Sequence, residues 1–438
     1  MDGNVFTAEF IKDLKLHRVP STVLKQLKIA LLDIVGASLA GAKVKGAKIL
    51  LNFSLGQMGK SSEATIIGAN RKLSCVSASL INGFITNALD IDDGYRKIKG
   101  HPGAATFPAV LAVAESVKAT GREFLEAFLI GYEVGIRAGE ILHSHYGYYH
   151  GSGSWGAIAS AAAVSKLLKL SKSQIIHALG IAEAFAPLVP EMRAVTYPSM
   201  APKDGIPWGC MVGTSAAFLA KRGFTSIPSL LGDSKRNKEV FSLGRDYKIL
   251  NLYFKPYPCC RWAQPALDGL LKILSEKKLS WDEIHRIKIR TFSEAASLYR
   301  GIPKTIEEAE YHLLYPVAVT AIYGEFTPKY LTGKFFKENR IVKLMKKIDI
   351  IVDPKIQREF PNKCLTSVKI ITRKGNVLSS GVIGAKGDYN SPMSETEIED
   401  KFKRITKEIL GERKMEALIK LIKNFEDHSV VDLVNFLK

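Results

Sequence analysis

The chain has 438 residues, 46% hydrophobic and 24% charged, which exceeds one simple core and points to two or more domains. No run reaches the ~18 uncharged apolar residues of a membrane span, and Met1-Asp2-Gly3-Asn4 opens no secretory leader, so neither is expected. The formal charge of +19 is scattered and mostly lysine, with no aromatic-interleaved basic run; a small anionic ligand is expected and a nucleic-acid partner is not.

In chain order, apolar residues recur at helical spacing over 21–39 (Val23, Leu27, Ala30, Leu31, Ile34, Val35), between Pro20 and Gly41. A short extended piece follows at 64–68. Residues 74–88 and 104–117 are small and apolar and predict two buried helices. Capping boxes open further helices at Thr120 with Glu123 and at Ser171 with Gln174. Residues 152–170 and 205–221 add two more. Beyond Tyr253 the texture changes: 285–290 and 367–372 alternate as strands do, and a turn at 373–376 leads into 377–383 as a hairpin. Residues 264–275 and 309–323 read as helices. Ser394 with Glu397 caps a return to helix through Lys438. The fold expected is mainly α: a large all-helical domain over 1–255, rejoined by 394–438, and a smaller α+β domain over 256–393.

Five cysteines, with Cys259 and Cys260 adjacent and the others isolated, match no disulfide framework, zinc site or iron–sulfur site. A reducing cytoplasm is the expected compartment, and no metal is expected.

Chemistry concentrates in five segments. Leu89-Asp90-Ile91-Asp92-Asp93-Gly94 and Gly100-His101-Pro102-Gly103 lie between two buried helices, so Asp90, Asp92 or Asp93 can orient His101 as a general acid or base. His150-Gly151-Ser152-Gly153-Ser154 opens a helix whose N-terminus favours an anion, although a histidine packed at a helix start needs no function. Lys203 precedes a Gly-containing helix start. Lys255-Pro256-Tyr257-Pro258-Cys259-Cys260-Arg261-Trp262 fixes the directions of Lys255 and Arg261, and its cysteines read as small packing groups. Tyr315 follows Glu310-Tyr311-His312 and can donate a hydrogen bond to a leaving hydroxyl.

The acidic loop with its His-Pro-Gly, and the Lys-Pro-Tyr-Pro-Cys-Cys-Arg-Trp segment, resemble the MmgE/PrpD family of 2-methylcitrate dehydratase and cis-aconitate decarboxylase. So do Leu32-Asp33-Ile34-Val35-Gly36, Asn82-Gly83 and Lys386-Gly387-Asp388, from about Phe6 to past Phe402. The resemblance implies a helical domain and a smaller α+β domain with the active site between them, a homodimer, and no cofactor. It implies catalytic Asp90, His101, His150 and Tyr315, and substrate binding by Lys203 and Lys255; Arg261, whose guanidinium can grip a carboxylate, and Asp93 are expected to bind substrate with them. Three positions depart from the pattern: Gly94 stands where relatives often carry Thr, the Tyr95–Gly100 stretch is one residue longer than in some relatives, and Cys260 stands where some decarboxylases carry His.

The expected function is a cofactor-independent lyase on a small di- or tricarboxylate, with dehydration of a 2-methylcitrate-like hydroxy acid first. Decarboxylation of a cis-aconitate-like acid, or epimerisation on the same scaffold, are the alternatives. Such elimination needs a base for a carbon-bound proton, an acid for the leaving hydroxyl, and cations for the carboxylates.

Overall fold

A computed structural model describes residues 2–232 and 237–438. Helices Ser21–Gly41, Cys75–Asn87, Phe107–Ser116, Gly121–His145, Gly153–Leu167, Lys172–Ala184 and Ile206–Lys221 build the body that holds the site. The capping boxes at Thr120, Ser171 and Ser394 all form. Helix Gly153–Leu167 lies against both Gly121–His145 and Ile206–Lys221. Small residues permit that approach: a Cβ at Gly213 would stand 2.3 Å from the Ala157 carbonyl oxygen. Dispersion between surfaces this close holds the helices without large side chains.

Two short strands, β1 (Ala64–Thr65) and β2 (Lys72–Leu73), pair beside this body. The second unit is a four-stranded sheet made of β3 (Ile284–Thr291), β4 (Ile348–Val352), β5 (Leu365–Thr372) and β6 (Val377–Gly384), in the order β4-β3-β5-β6. β3 runs parallel to β4 and antiparallel to β5, and β5–β6 is the expected hairpin. A register shift between Ile284 and Arg286 precedes the regular alternation that turns Ile287, Ile289 and Thr291 inward. Helices Gln264–Lys277 and Leu314–Tyr323 belong to the same core.

Two expectations are corrected. The helix anticipated over 309–323 is split into Ile306–Glu310 and Leu314–Tyr323. A continuous helix would drive the Pro316 ring into the carbonyl of residue 312, so the second helix restarts with Pro316 in its first turn. The C-terminal run is three helices, Glu395–Leu410, Glu412–Lys423 and Val430–Phe436, broken first at Gly411 with φ 71°.

The hydrophobic residues form two main clusters. The larger draws on residues 8–254 and on 398–437, so the C-terminal helices join the helical body. The second gathers the sheet and its helices, and it also takes in Leu89 and Ile91 from the acidic loop.

Candidate active site

The acidic loop is stretched between these two cores. Ala88 and Tyr95 pack in the larger one, Leu89 and Ile91 in the other. Asp90 lies between its two anchors with φ 48°, and its amide donates to the Asn87 carbonyl at 3.1 Å. That left-handed conformation is unfavourable for a residue with a side chain, and the anchors on either side hold it. Lys401 braces the loop from beneath, donating to the Ile91 carbonyl and to Asp33, each at 2.6 Å.

The three aspartates divide the work. Asp93 accepts from the Tyr132 hydroxyl at 2.5 Å and from the Gly103 amide at 2.9 Å, which folds the loop. Asp92 orients the histidine: its Oδ2 lies 2.8 Å from His101 Nδ1, and Asn87 donates to its other oxygen at 3.1 Å. Asp90 lines the cleft. Ser152 also supports the histidine, its hydroxyl accepting from the His101 amide at 3.1 Å.

His101 Nε2 therefore faces the cleft, 3.1 Å from Asp204 Oδ2 and 3.5 Å from Asp90 Oδ1. Burial by itself would strip the imidazolium of its proton. Asp92 and Asp204 more than reverse this, against opposition from Lys255, and the His101 pKa is pushed up to about 10. The aspartates respond in kind. Burial would raise Asp92 and Asp204, and His101 holds both below the usual carboxylate range. His101 is thus an acid at neutral pH, with its proton available on Nε2.

Asp204 reaches this position through a local twist. Lys203, Asp204 and Gly205 all have positive φ, at 26°, 51° and 70°. The turn sends Lys203 away from the cleft, where its Nζ donates to Glu310 at 2.5 Å and to the Ala88 carbonyl at 2.9 Å. Asp204 is left among the cleft-lining residues.

Cations occupy the other wall. Lys255 donates to Asp90 Oδ1 at 2.5 Å. Arg261 donates to the carbonyls of Lys386 and Ala385 at 3.0 and 3.2 Å, yet its buried Nε has no acceptor among the described residues. Its guanidinium carbon lies 4.9 Å from the Tyr253 ring centroid. Arg96, from the loop before His101, grips Asp388 through both carboxylate oxygens at 2.6 and 2.5 Å, and Arg261 meets the same carboxylate at 3.0 Å. Gly94 has its reason here: a Cβ would lie 2.2 Å from the Tyr253 ring.

Of the eight residues expected at the site, Asp90, His101, Lys255 and Arg261 line one cleft. The other four are placed elsewhere. The His150 ring is buried among aromatic rings, with centroids 4.2 Å from Tyr148, 5.4 Å from Tyr146 and 6.0 Å from His143. Among the described residues neither of its ring nitrogens has a partner, and burial lowers its pKa. The Gly/Ser segment reaches the site through Ser152 instead. Tyr315 donates to the Tyr330 carbonyl at 2.5 Å inside the second core. Lys203 is spent on Glu310, and Asp93 on the loop itself. Sequence reasoning passed over Arg96, Glu191, Asp204 and Tyr253, all of which line the cleft. Asp204 stood beside the chosen Lys203; Glu191 carried no local signal.

The smaller unit closes the cleft with Cys260, Trp262 and Tyr311. A buried charged histidine, buried carboxylates and a cationic wall, set between a helical body and an α+β unit, give the cleft the groups of an acid–base enzyme site. The chain belongs to the MmgE/PrpD family: the family's N-terminal domain matches residues 6–250 and its C-terminal domain residues 257–427. It is 25% identical to the cis-aconitate decarboxylase of Homo sapiens, over 96% of this chain and 91% of that protein. Identity is 22% to the cis-aconitate decarboxylase-like protein oryM of Aspergillus oryzae, over 95% and 93%. A probable 2-methylcitrate dehydratase of Saccharomyces cerevisiae is 26% identical, over 79% and 73%.

Proposed function

We propose that this enzyme is a lyase that removes water from a hydroxy-tricarboxylate of the 2-methylcitrate type. The observation that carries the reading is His101, buried and charged between Asp92 and Asp204, beside Lys255 and Arg261. The cations hold the substrate carboxylates, and the unfilled Nε–H of Arg261 supplies a donor that costs no existing bond. Asp204 Oδ2 accepts the proton from the carbon next to a carboxylate. His101 Nε2 gives its proton to the hydroxyl, which leaves as water. Asp204 then returns its proton to His101 across 3.1 Å, and the site is reset.

A second reading is decarboxylation of a cis-aconitate-like acid. It is favoured by the name of the relatives aligned over 95–96% of the chain. In that case the carbon–carbon bond breaks, the cations hold the electron pair left behind, and His101 protonates the carbon. Incubation with hydroxy-tricarboxylates and unsaturated tricarboxylates, read by mass spectrometry, tests both. Loss of water supports the first reading, loss of carbon dioxide alone supports the second, and turnover of neither class overturns the lyase assignment.

The activity needs no metal in this reading. Ligand-type atoms of Asp90, His101 and Asp204 do lie within 4.8 Å of one another. The Lys255 ammonium, 2.5 Å from Asp90, opposes a second cation there. Activity abolished by a chelator and restored by a divalent ion would overturn this. The family resemblance adds a homodimer to the proposal, which sedimentation would check.

A further inference from the structure

Glu191 opens the short helix Glu191–Thr196, lines the cleft and is 4% exposed. Among the described residues its buried Oε2 has no donor, and neither has Asp204 Oδ2, whose contact with His101 falls short of an aligned hydrogen bond. Both side chains line one cleft, where the side-chain hydrogen bond between them raises the pKa of Glu191 and lowers that of Asp204, and Gly151 leaves room for Glu191, since a Cβ there would lie 3.1 Å from its Oε2. As two carboxylates they would leave two buried acceptors empty and two like charges together, which is costly on both counts. A single proton removes both costs, because a carboxyl group donates where a carboxylate only accepts.

We propose that Glu191 and Asp204 hold one proton between them, and that this acid pair takes the place a second histidine was expected to fill. The inference rests on the reading of the cleft as a lyase site. Glu191 carries the proton and Asp204 keeps the charge. The asymmetry has a structural source: His101 lies 3.1 Å from Asp204, while Glu191 shares the cleft with Asp204, Asp90 and the neutral Tyr149 and Tyr311, and Lys255 offers the opposing charge. Burial first, and then Asp204, raises the Glu191 pKa well above the usual range. Glu191 is therefore a positioning residue. It donates to Asp204, keeps it ionised although buried, and so preserves the base that takes the carbon-bound proton. With Glu191 neutral, the charged lining is four Lys and Arg cations and His101 against two carboxylates, an excess that suits a fully ionised polycarboxylate.

Infrared difference spectroscopy of wild type against Glu191→Gln at neutral pH tests the pairing without a substrate. The expected result is loss of a protonated-carboxyl band; loss of an ionised-carboxylate band overturns the proposal. The pH profile of kcat/KM, on the acid found by the panel, adds a readout that a merely structural role would not give. Glu191→Gln still donates to Asp204 and should leave the acid limb in place. Glu191→Ala removes the donor, so Asp204 protonates more readily and the limb moves to higher pH. If Glu191 is ionised in the wild type, both variants remove a negative neighbour and both limbs move to lower pH, which also sinks the idea. Failure of the panel alone overturns the lyase reading and leaves the infrared result standing.

Discussion

His101 and His150 each lie just upstream of a helix in the larger core, Phe107–Ser116 and Gly153–Leu167, each close to glycines. In the folded chain one ring meets Asp92, Asp204 and Asp90, and the other meets Tyr148, Tyr146 and His143. Both are buried, so desolvation acts on both in the same direction. Carboxylate neighbours alone separate them, one ring remaining a cation and the other being driven neutral. Burial of a histidine therefore says little about its chemistry until the partners on both nitrogens are known.

The sharpest way to break this comparison is kinetic. His101→Gln should lower kcat by about 10²–10⁴-fold, the range of a lost general acid, while His150→Gln stays near the parent value. Equal losses in two folded variants would show that the aromatic cluster takes part in the reaction. The next effect is on stability. Lys203→Met leaves Glu310 without its buried partner and should cost about 3–5 kcal/mol in denaturant unfolding; a cost near zero would restore Lys203 to the substrate-binding set.

Titration sharpens the contrast further. The His101 pKa rises from 6.5 to about 10, so its charge contributes stability that is fully present below about pH 6.5 and is lost as the pH climbs through about 10. Nitrogen-detected NMR should show the His101 ring protonated across the neutral range and the His150 ring neutral there. A His101 ring that titrates near its ordinary value would remove the acid from the mechanism. The smallest expected change is in binding: Arg96→Gln, which leaves Asp388 to Arg261 alone, should raise KM about tenfold, or ~1.4 kcal/mol. An unchanged KM would make Arg96 a structural clamp only.

Much of the fold was legible because its signals are local. The three capping boxes, the β5–β6 hairpin and the small-residue helices are all written in neighbouring residues. Strand β4 was missed: it follows Lys346-Lys347, pairs in parallel with a strand far back in the chain, and exposes Ile351 and Val352 at the sheet edge. The site divides in the same way. Asp92 and His101 are nine residues apart and could be linked on the page, although which aspartate orients the ring could not. Asp204 and Lys203 are adjacent, and only three successive left-handed residues decide which of them lines the cleft. Glu191 and Arg96 arrive from segments whose meeting depends on the whole packing.

Leu89 and Ile91, seated in the second core on either side of Asp90, make the acidic loop a stitch through both halves of the molecule. Swinging the α+β unit outward as a rigid block would drag the Asp90 backbone with it and part the Lys255 contact. The smaller unit is accordingly a poor cassette for exchange between relatives, since its graft would arrive with an ill-fitting socket for those two side chains. Altered specificity is better sought in the Tyr95–Gly100 loop, which presents Arg96 and Lys99 to the cleft and carries neither anchor.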